Sequence, residues 1–210
     1  MASTNAPRGL VLARKNGDGS NSTGVRTIDL VHASPKVASA LLPTSMFTGD
    51  PIYIESLGSI KPNPANVTIK TAGVFQGCSF VNASGEQKFS RYWTGGTTAT
   101  DVHIHIASDP DQTYFIQSNV GVTTSANPTG VGVWNAPWVL GTGSSKTGNS
   151  AYVIDGDGNT LATSHMRVIR RAPWDTGTST SAGITDAYPW YEVRLNTHMD
   201  NYILATVSTA

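Results

Sequence analysis

The chain has 210 residues, enough to bury a sizeable core in one globular unit. Charged residues make up only 13% of it, against roughly 25% in typical soluble proteins, and fourteen acids balance fourteen bases. That balance gives no support to broad electrostatic binding of nucleic acid, and so weakly charged a surface suits a protein that works packed against other protein.

Twenty-one glycines and eleven prolines break up every long periodic run, and almost no stretch keeps helical spacing for three turns. The composition therefore predicts an all-β protein, a single β-barrel or β-sandwich of about ten short strands. Residues 1–24 read as an extended N-terminal arm in front of a body spanning 25–210. The segment is small, polar and glycine-rich apart from "GLVLAR", with Arg8, Arg14 and Lys15 against the single acid Asp18. Alone it lacks the apolar surface to order itself. An apolar triplet is unusual in a free tail, so Leu10, Val11 and Leu12 are expected to dock on a neighbouring subunit.

Within the body, "VRTIDLVH" (25–32) alternates, "KVASALL" (36–42) is the one short helix expected, and "GDPIYIESL" (49–57) is a turn followed by a strand. Then come "NVTIK", "GVFQGCSFV", "EQKFSRYW", "DVHIHIA" and "TYFIQS", each bounded by Gly, Pro, Asn or Asp clusters. The segment 73–93 reads as two strands around an Asn-Ala-Ser-Gly turn. Gly73 and Gly77 would permit a bend or a close backbone approach there. Val74, Phe75, Phe80, Phe89 and Trp93 would fill a core or an interface. The stretch 130–150 is a glycine-rich connection carrying Trp134 and Trp138, which either pin it to the core or form an intersubunit contact. "SAYVIDGDGNTLAT" looks like a hairpin, and "HMRVIRR", "YPWYEVRLN" and "NYILATV" look like strands.

No residue constellation in the sequence stands out as catalytic. Cys78 is the only cysteine, so it forms no internal disulfide, and it reads as a small buried apolar residue. His103 and His105 share a strand face where two imidazoles could hold a metal. That run resembles the first cupin motif, but the glycine stands one residue too far back, Asp109 replaces a glutamate and the second motif is missing; satisfied or surface histidines are expected instead. "DGDGN" (155–159) starts like a calcium loop but has Thr160 and Met166 where Gly and Glu belong, so it reads as turn residues. "GTGSSKTG" (141–148) has Ser145 before Lys146 where a phosphate loop needs Gly. No nucleophile elbow is present, and Glu55, Glu86 and Glu192 are scattered. Arg167, Arg170 and Arg171 form the one basic cluster, expected to be a solvated strand face or a source of subunit salt bridges. No cofactor, metal, membrane or nucleic-acid partner is expected. With no apolar run of signal-peptide or membrane-span length in view, synthesis in a cytoplasm without export is the expectation.

Order along the chain carries more than any single motif. "TNAPRGL", "GDPI" (49–52), "AGVFQGCSF" (72–80), "FSRYW" (89–93), "DPDQTYFIQSN" (109–119), "MRVIRR" (166–171) and "YEVRLNTH" (191–198) follow one another. The series resembles a family of tailed-bacteriophage virion proteins encoded beside the major capsid protein and regarded as capsid decoration or cement proteins. The chain departs from the family pattern at Arg8, where an aromatic is common, and at Val11 and Leu12, where a proline usually follows the Gly-Leu pair.

The resemblance implies a β-rich, non-enzymatic body on the outer capsid surface that bridges neighbouring capsid subunits and associates as a homotrimer, or as a dimer. Pro7, Arg8, Gly9, Leu10, Val11, Leu12 and Arg14 are the expected capsid-contacting residues, with the Trp134–Trp138 loop next. The alternatives are another virion component, such as a head-fibre or tail protein, and a carbohydrate-binding β module that stacks Trp134, Trp138, Trp174, Tyr188 and Trp190 on sugar rings.

Overall fold

The computed structural model describes residues 5–15, 25–30, 40–64, 68–120, 134–156, 164–175, 179–180, 183–184 and 188–199. Seventeen strand segments fall among them: β1 Val11–Lys15, β2 Val25–Leu30, β3 Met46–Phe47, β4 Pro51–Ile54, β5 Ile60–Pro62, β6 Gly73–Asn82, β7 Gln87–Ser90, β8 Tyr92–Trp93, β9 Ala99–Ala107, β10 Gln112–Gln117, β11 Trp134–Ala136, β12 Trp138–Val139, β13 Val153–Ile154, β14 Met166–Arg171, β15 Ser179–Thr180, β16 Gly183–Ile184 and β17 Trp190–Leu195. Several are two-residue pairings inside loops, too short to show alternation in the sequence, which is why the count exceeds the ten expected. Residues 40 and 41 are helical, while 36–39 of the expected helix and all of "NYILATV" lie outside the described residues.

Two antiparallel sheets organise the fold. One has five strands in the order β1-β10-β17-β14-β11; the other has the path β2-β9-β6-β4-β5, with β7 also pairing β6. Neither closes on itself among the described residues, so the all-β expectation holds in its sandwich-like form and not as a closed barrel.

Alternation explains which face each strand buries. On β9, Val102, Ile104 and Ile106 are fully buried while His103 and His105 point to the other side, half-exposed. On β10, Tyr114 and Ile116 turn inward, as do Tyr191, Val193 and Leu195 on β17. Fully burying a large apolar side chain is worth about 1.5–3 kcal/mol, so these rows fix the register.

Two apolar clusters result. The first gathers Tyr114, Ile116, Met166, Val168, Tyr191, Val193 and Leu195 from the five-stranded sheet, and also takes in Val74 and Ala107 from the other sheet. The second joins Phe75, Cys78, Val102, Ile104 and Ile106 with Leu42, Met46, Ile52 and Trp93. Trp93 donates its indole N–H to the Leu42 carbonyl at 3.1 Å and meets Phe80 edge-on, centroids 5.2 Å apart.

The strands read from 73–93 pair as expected, with Cys78 opposite Ser90 and Val81 opposite Gln87. Val74, Phe75 and Trp93 fill the interior, whereas Phe89 is 77% exposed. Gly73 and Gly77 both have positive φ, and the β6–β9 register shifts between Phe75 and Gly77. A side chain at Gly73 would collide with the Ala107 carbonyl oxygen, so the close approach expected there is present.

Candidate interaction surface

The segment ahead of β1 is laid onto the body by its own backbone. The Ala6 N–H donates to Oε1 of the buried Gln117 at 2.9 Å, and the Leu10 N–H donates to the Gly49 carbonyl at 2.9 Å. Gly9 turns the chain between these anchors at φ +66°, with Ser150 and the Gly49 carbonyl standing where a side chain would point. A Cβ there would overlap both, and left-handed backbone disfavours any side chain.

This placement revises the expected arm residue by residue. Leu10 is 1% exposed and belongs to the chain's own first cluster, so it does not dock on a neighbour. Gly9 is buried, Pro7 and Leu12 are half-buried, and Leu12 packs against the same cluster. Arg8 and Val11 remain exposed. Arg14 lies on β1, and the rest of the expected arm, residues 1–4 and 16–24, lies outside the described residues. Residues 11–15 are thus a strand of the body, because pairing with β10 satisfies backbone groups that a free arm would leave to water.

Of the two loop tryptophans, Trp138 is 2% exposed, stacked on His165 at 4.1 Å and edge-on to Tyr152 at 6.4 Å. It pins the loop to the core and offers no interface. Trp134 opens β11 opposite Val168.

Exposed aromatic surface lies elsewhere. Ala6, Arg8, Val11, Phe115, Trp174 and Trp190 line a groove of about 350 Å³. Its parts come from four places in the chain, because β1, β10 and β17 are neighbours and turn their second faces the same way. Trp174 stands on a tight turn after β14. Asp175 clamps that turn, accepting 2.8 Å from Arg171 Nη2 and 2.6 Å from the Trp190 N–H. The indole is thereby held 4.2 Å from the Phe115 ring, edge to face, while remaining 57% exposed.

A second groove of about 230 Å³ runs along β1, between Leu10, Val11 and Leu12 on one side and Thr48, Gln76, Arg91 and Asn149 on the other, with Arg8 shared. A third, of about 250 Å³, continues from Gln76 and Arg91 to Phe89, Ser90 and His105. Shared residues make the three one strip with exposed aromatics near both ends. Among the described residues its charged side chains are Arg8 and Arg91, and no carboxylate lines it. Arg91 donates to Asn149 Oδ1 at 2.8 Å, and Arg8 has no carboxylate partner among the described residues.

Several other titratable groups are committed to the fold. Cys78 is buried with its thiol 3.6 Å from the Tyr92 carbonyl, and burial pushes that thiol up to about 12, far from a nucleophilic thiolate. Glu192, fully buried, takes 2.6 Å from Arg170 Nε and 2.9 Å from the Thr113 hydroxyl. Arg170 and Arg171 thus form ion pairs within the chain, and Arg167 is exposed. No cluster of three or more His, Cys, Asp and Glu arranged to hold a metal occurs among the described residues. Of the expected hairpin at 150–163, the stretch 157–163 lies outside the described residues, and β13 pairs with β12.

Arg8 and Val11, expected in one role, and Trp174 and Trp190, expected in another, all line one groove. Phe115 joins them without having been expected there; its signal is the alternation of "TYFIQ" that sets it opposite Tyr114 and Ile116. Compared with known proteins, the chain matches no family model, no curated protein and no solved structure.

Proposed function

We propose that this chain is a structural component of a tailed-bacteriophage virion that decorates the outer surface of the capsid and stabilises it by bridging neighbouring major capsid protein subunits. The observation that carries the reading is the strip from Trp174 past Val11 and Arg91 to Phe89, a surface of mixed polarity with an exposed aromatic near each end on a body of low charge. The ordered motifs that resemble the decoration family add to it. A clamp of this kind needs no catalysis or cofactor. It works because each copy must come away before its boundary can open, and several copies joined as a trimer or dimer multiply modest affinities through effective concentration.

Co-sedimentation with expanded shells of a tailed phage that carries the protein tests the reading. The intact protein pellets with shells, and Val11→Asp and Trp174→Ala reduce pelleting while circular dichroism stays native. Point substitutions serve better than removing residues 1–14, because Leu10 is core. Intact protein that stays in the supernatant at every shell concentration overturns the reading.

A carbohydrate-binding module is the second reading, favoured by Trp174 and Trp190 lining one groove. Among the described residues that line it, Arg8 is the one charged or amide-bearing side chain available to sugar hydroxyls, whereas sugar sites pair their aromatic platform with several placed polar groups. Saturable binding on a glycan array together with no shell binding would select this reading.

A further inference from the structure

β7 is an edge of the second sheet. β6 pairs with one side of it, from Cys78–Ser90 to Val81–Gln87, and no strand among the described residues pairs with the other. Gln87, Lys88 and Phe89 are all exposed, Phe89 to 77%. Two hydrogen bonds fix which backbone groups face outward. The Glu86 carbonyl turns inward to accept from the Asn82 N–H at 2.9 Å, and the Arg91 carbonyl turns outward to accept from the Thr48 N–H at 3.0 Å. Backbone groups of successive residues point to alternate sides of a strand, so Gln87 and Phe89 present their N–H and C=O groups to the open side. Among the described residues no hydrogen bond ends on those groups, which makes them a template for an added strand.

Charge and the space along the edge decide which strand fits. Glu86 and Lys88 flank Gln87 on one face and form a 2.7 Å ion pair. A second copy laid antiparallel about a two-fold axis at Gln87 sets each Glu86 opposite the other copy's Lys88, so four charges alternate in sign around the axis. An isologous contact requires a self-complementary patch, and this sequence supplies one. The same register sets Phe89 opposite the other copy's Gly85, which has open space where a side chain would stand. Shifted registers fail. An axis at Lys88 opposes two lysines directly, and like charges so placed are destabilising. An axis at Phe89 drives the second copy's Gln87 into the place beside Arg91 that Thr48 already fills. With the axis at Gln87, the tight turn closed by the Gly85 N–H on the Asn82 carbonyl bends the second chain away before it reaches Thr48.

We propose that β7 is a self-association edge: two copies pair antiparallel about Gln87, joining their second sheets into one, with reciprocal Glu86–Lys88 ion pairs fixing the register. The proposal rests on the reading that copies join when they decorate a shell, and it names the contact that joins them. Main-chain hydrogen bonds supply the affinity of strand addition, and the charges restrict it to one partner in one register. So short an edge belongs to the weak, transient class of contacts that bury less than about 1,200 Å². It gains force where a surface holds copies close together.

The test follows the full chain, without shells, by sedimentation velocity and amide hydrogen exchange at rising concentration. A reversible dimer is expected, with the Gln87 amide exchanging more slowly as dimer forms. Lys88→Glu and Glu86→Lys, both at exposed positions, each oppose like charges twice and weaken the dimer by roughly tenfold or more without loss of native circular dichroism. Mixed together, these two variants pair with each other, and Glu86→Lys combined with Lys88→Glu in one chain restores the dimer. Gln87→Cys, in a chain whose other cysteine is buried, yields a disulfide-linked dimer on mild oxidation, because Cα atoms across a hydrogen-bonded antiparallel pair lie about 5.5 Å apart. A monomer at every concentration overturns the proposal, and leaves the edge to a strand of another protein. So does a trimer, or a dimer indifferent to the single charge reversals. Shell co-sedimentation separates the two claims: shells bound by a chain that never self-associates end this proposal and leave the capsid reading standing, while dimers that bind no shells do the reverse.

Discussion

The Asp50 carboxylate accepts a 2.8 Å hydrogen bond from the Phe47 N–H inside a buried turn, where Asp50 is only 3% exposed. Burial is the largest influence on this group and pushes it from 3.8 up to about 6, with the Ser150 hydroxyl and the Phe47 amide pulling the other way. The folded state therefore binds a proton that the unfolded chain releases between these values. The stabilisation that goes with this proton is complete below about 3.8 and is lost as pH rises through about 6. Asp50→Asn keeps an acceptor for Phe47 and removes the charge. The variant is expected to melt higher than the parent at pH 8, by at most about 3 kcal/mol in stability, and to match it near pH 4. Thermal denaturation across that range checks it, and an advantage that persists unchanged at pH 4 would contradict the assignment.

Leu10 and Val11 are adjacent and chemically alike, yet one is 1% and the other 38% exposed. Leu10→Ala opens a cavity in the first apolar cluster and is expected to cost about 2–5 kcal/mol. Val11→Ala is expected to cost under about 1 kcal/mol, because the side chain is already partly in water. Urea denaturation of the two variants separates them. If both are neutral, the segment before β1 is not part of the body.

Alternation made much of the fold legible. "DVHIHIA" announces a strand with one buried face, and the turn between β6 and β7 is visible in "NASG", where Asn82 Oδ1 accepts from the Ser84 and Glu86 amides and its carbonyl accepts from Gly85. The destination of "GLVL" was not legible. An apolar triplet flanked by arginines looks the same whether it lies on its own sheet or on a neighbour's, and the contact that decides, Leu10 on Gly49, spans forty residues. The aromatic groove was hidden for the same reason: Val11, Phe115, Trp174 and Trp190 become neighbours only through the pairings of β10 with β1 and β17. Trp138 shows the converse, since a large aromatic in a glycine-rich loop is core more often than contact.

Gly9 ties the N-terminal segment to the rest of the chain through backbone shape. Its φ of +66° and its contact with Ser150 and the Gly49 carbonyl leave no place for a side chain. Gly9→Val is expected to cost about 1–3 kcal/mol, felt mainly as local opening of β1 from β10. Limited trypsin digestion reads this directly. Cleavage after Arg8, Arg14 and Lys15 should accelerate in the variant while the remaining body stays resistant. Unchanged cleavage would mean that the segment is held without this turn.

Arg170 and Glu192 give the sharpest electrostatic test. The carboxylate is fully buried and the guanidinium side chain is 46% exposed, so the pair sits where one partner has surrendered its water and the other has not. Removing the arginine leaves a buried carboxylate supported by the Thr113 hydroxyl, and Arg170→Met is expected to cost about 3 kcal/mol. Removing both charges, in Arg170→Met with Glu192→Leu, is expected to restore much of that loss, because the buried charge is gone while packing volume is kept. A double-mutant cycle by denaturant unfolding measures the coupling. A double variant as unstable as Arg170→Met alone would show that Glu192 is held by its surroundings rather than by this ion pair.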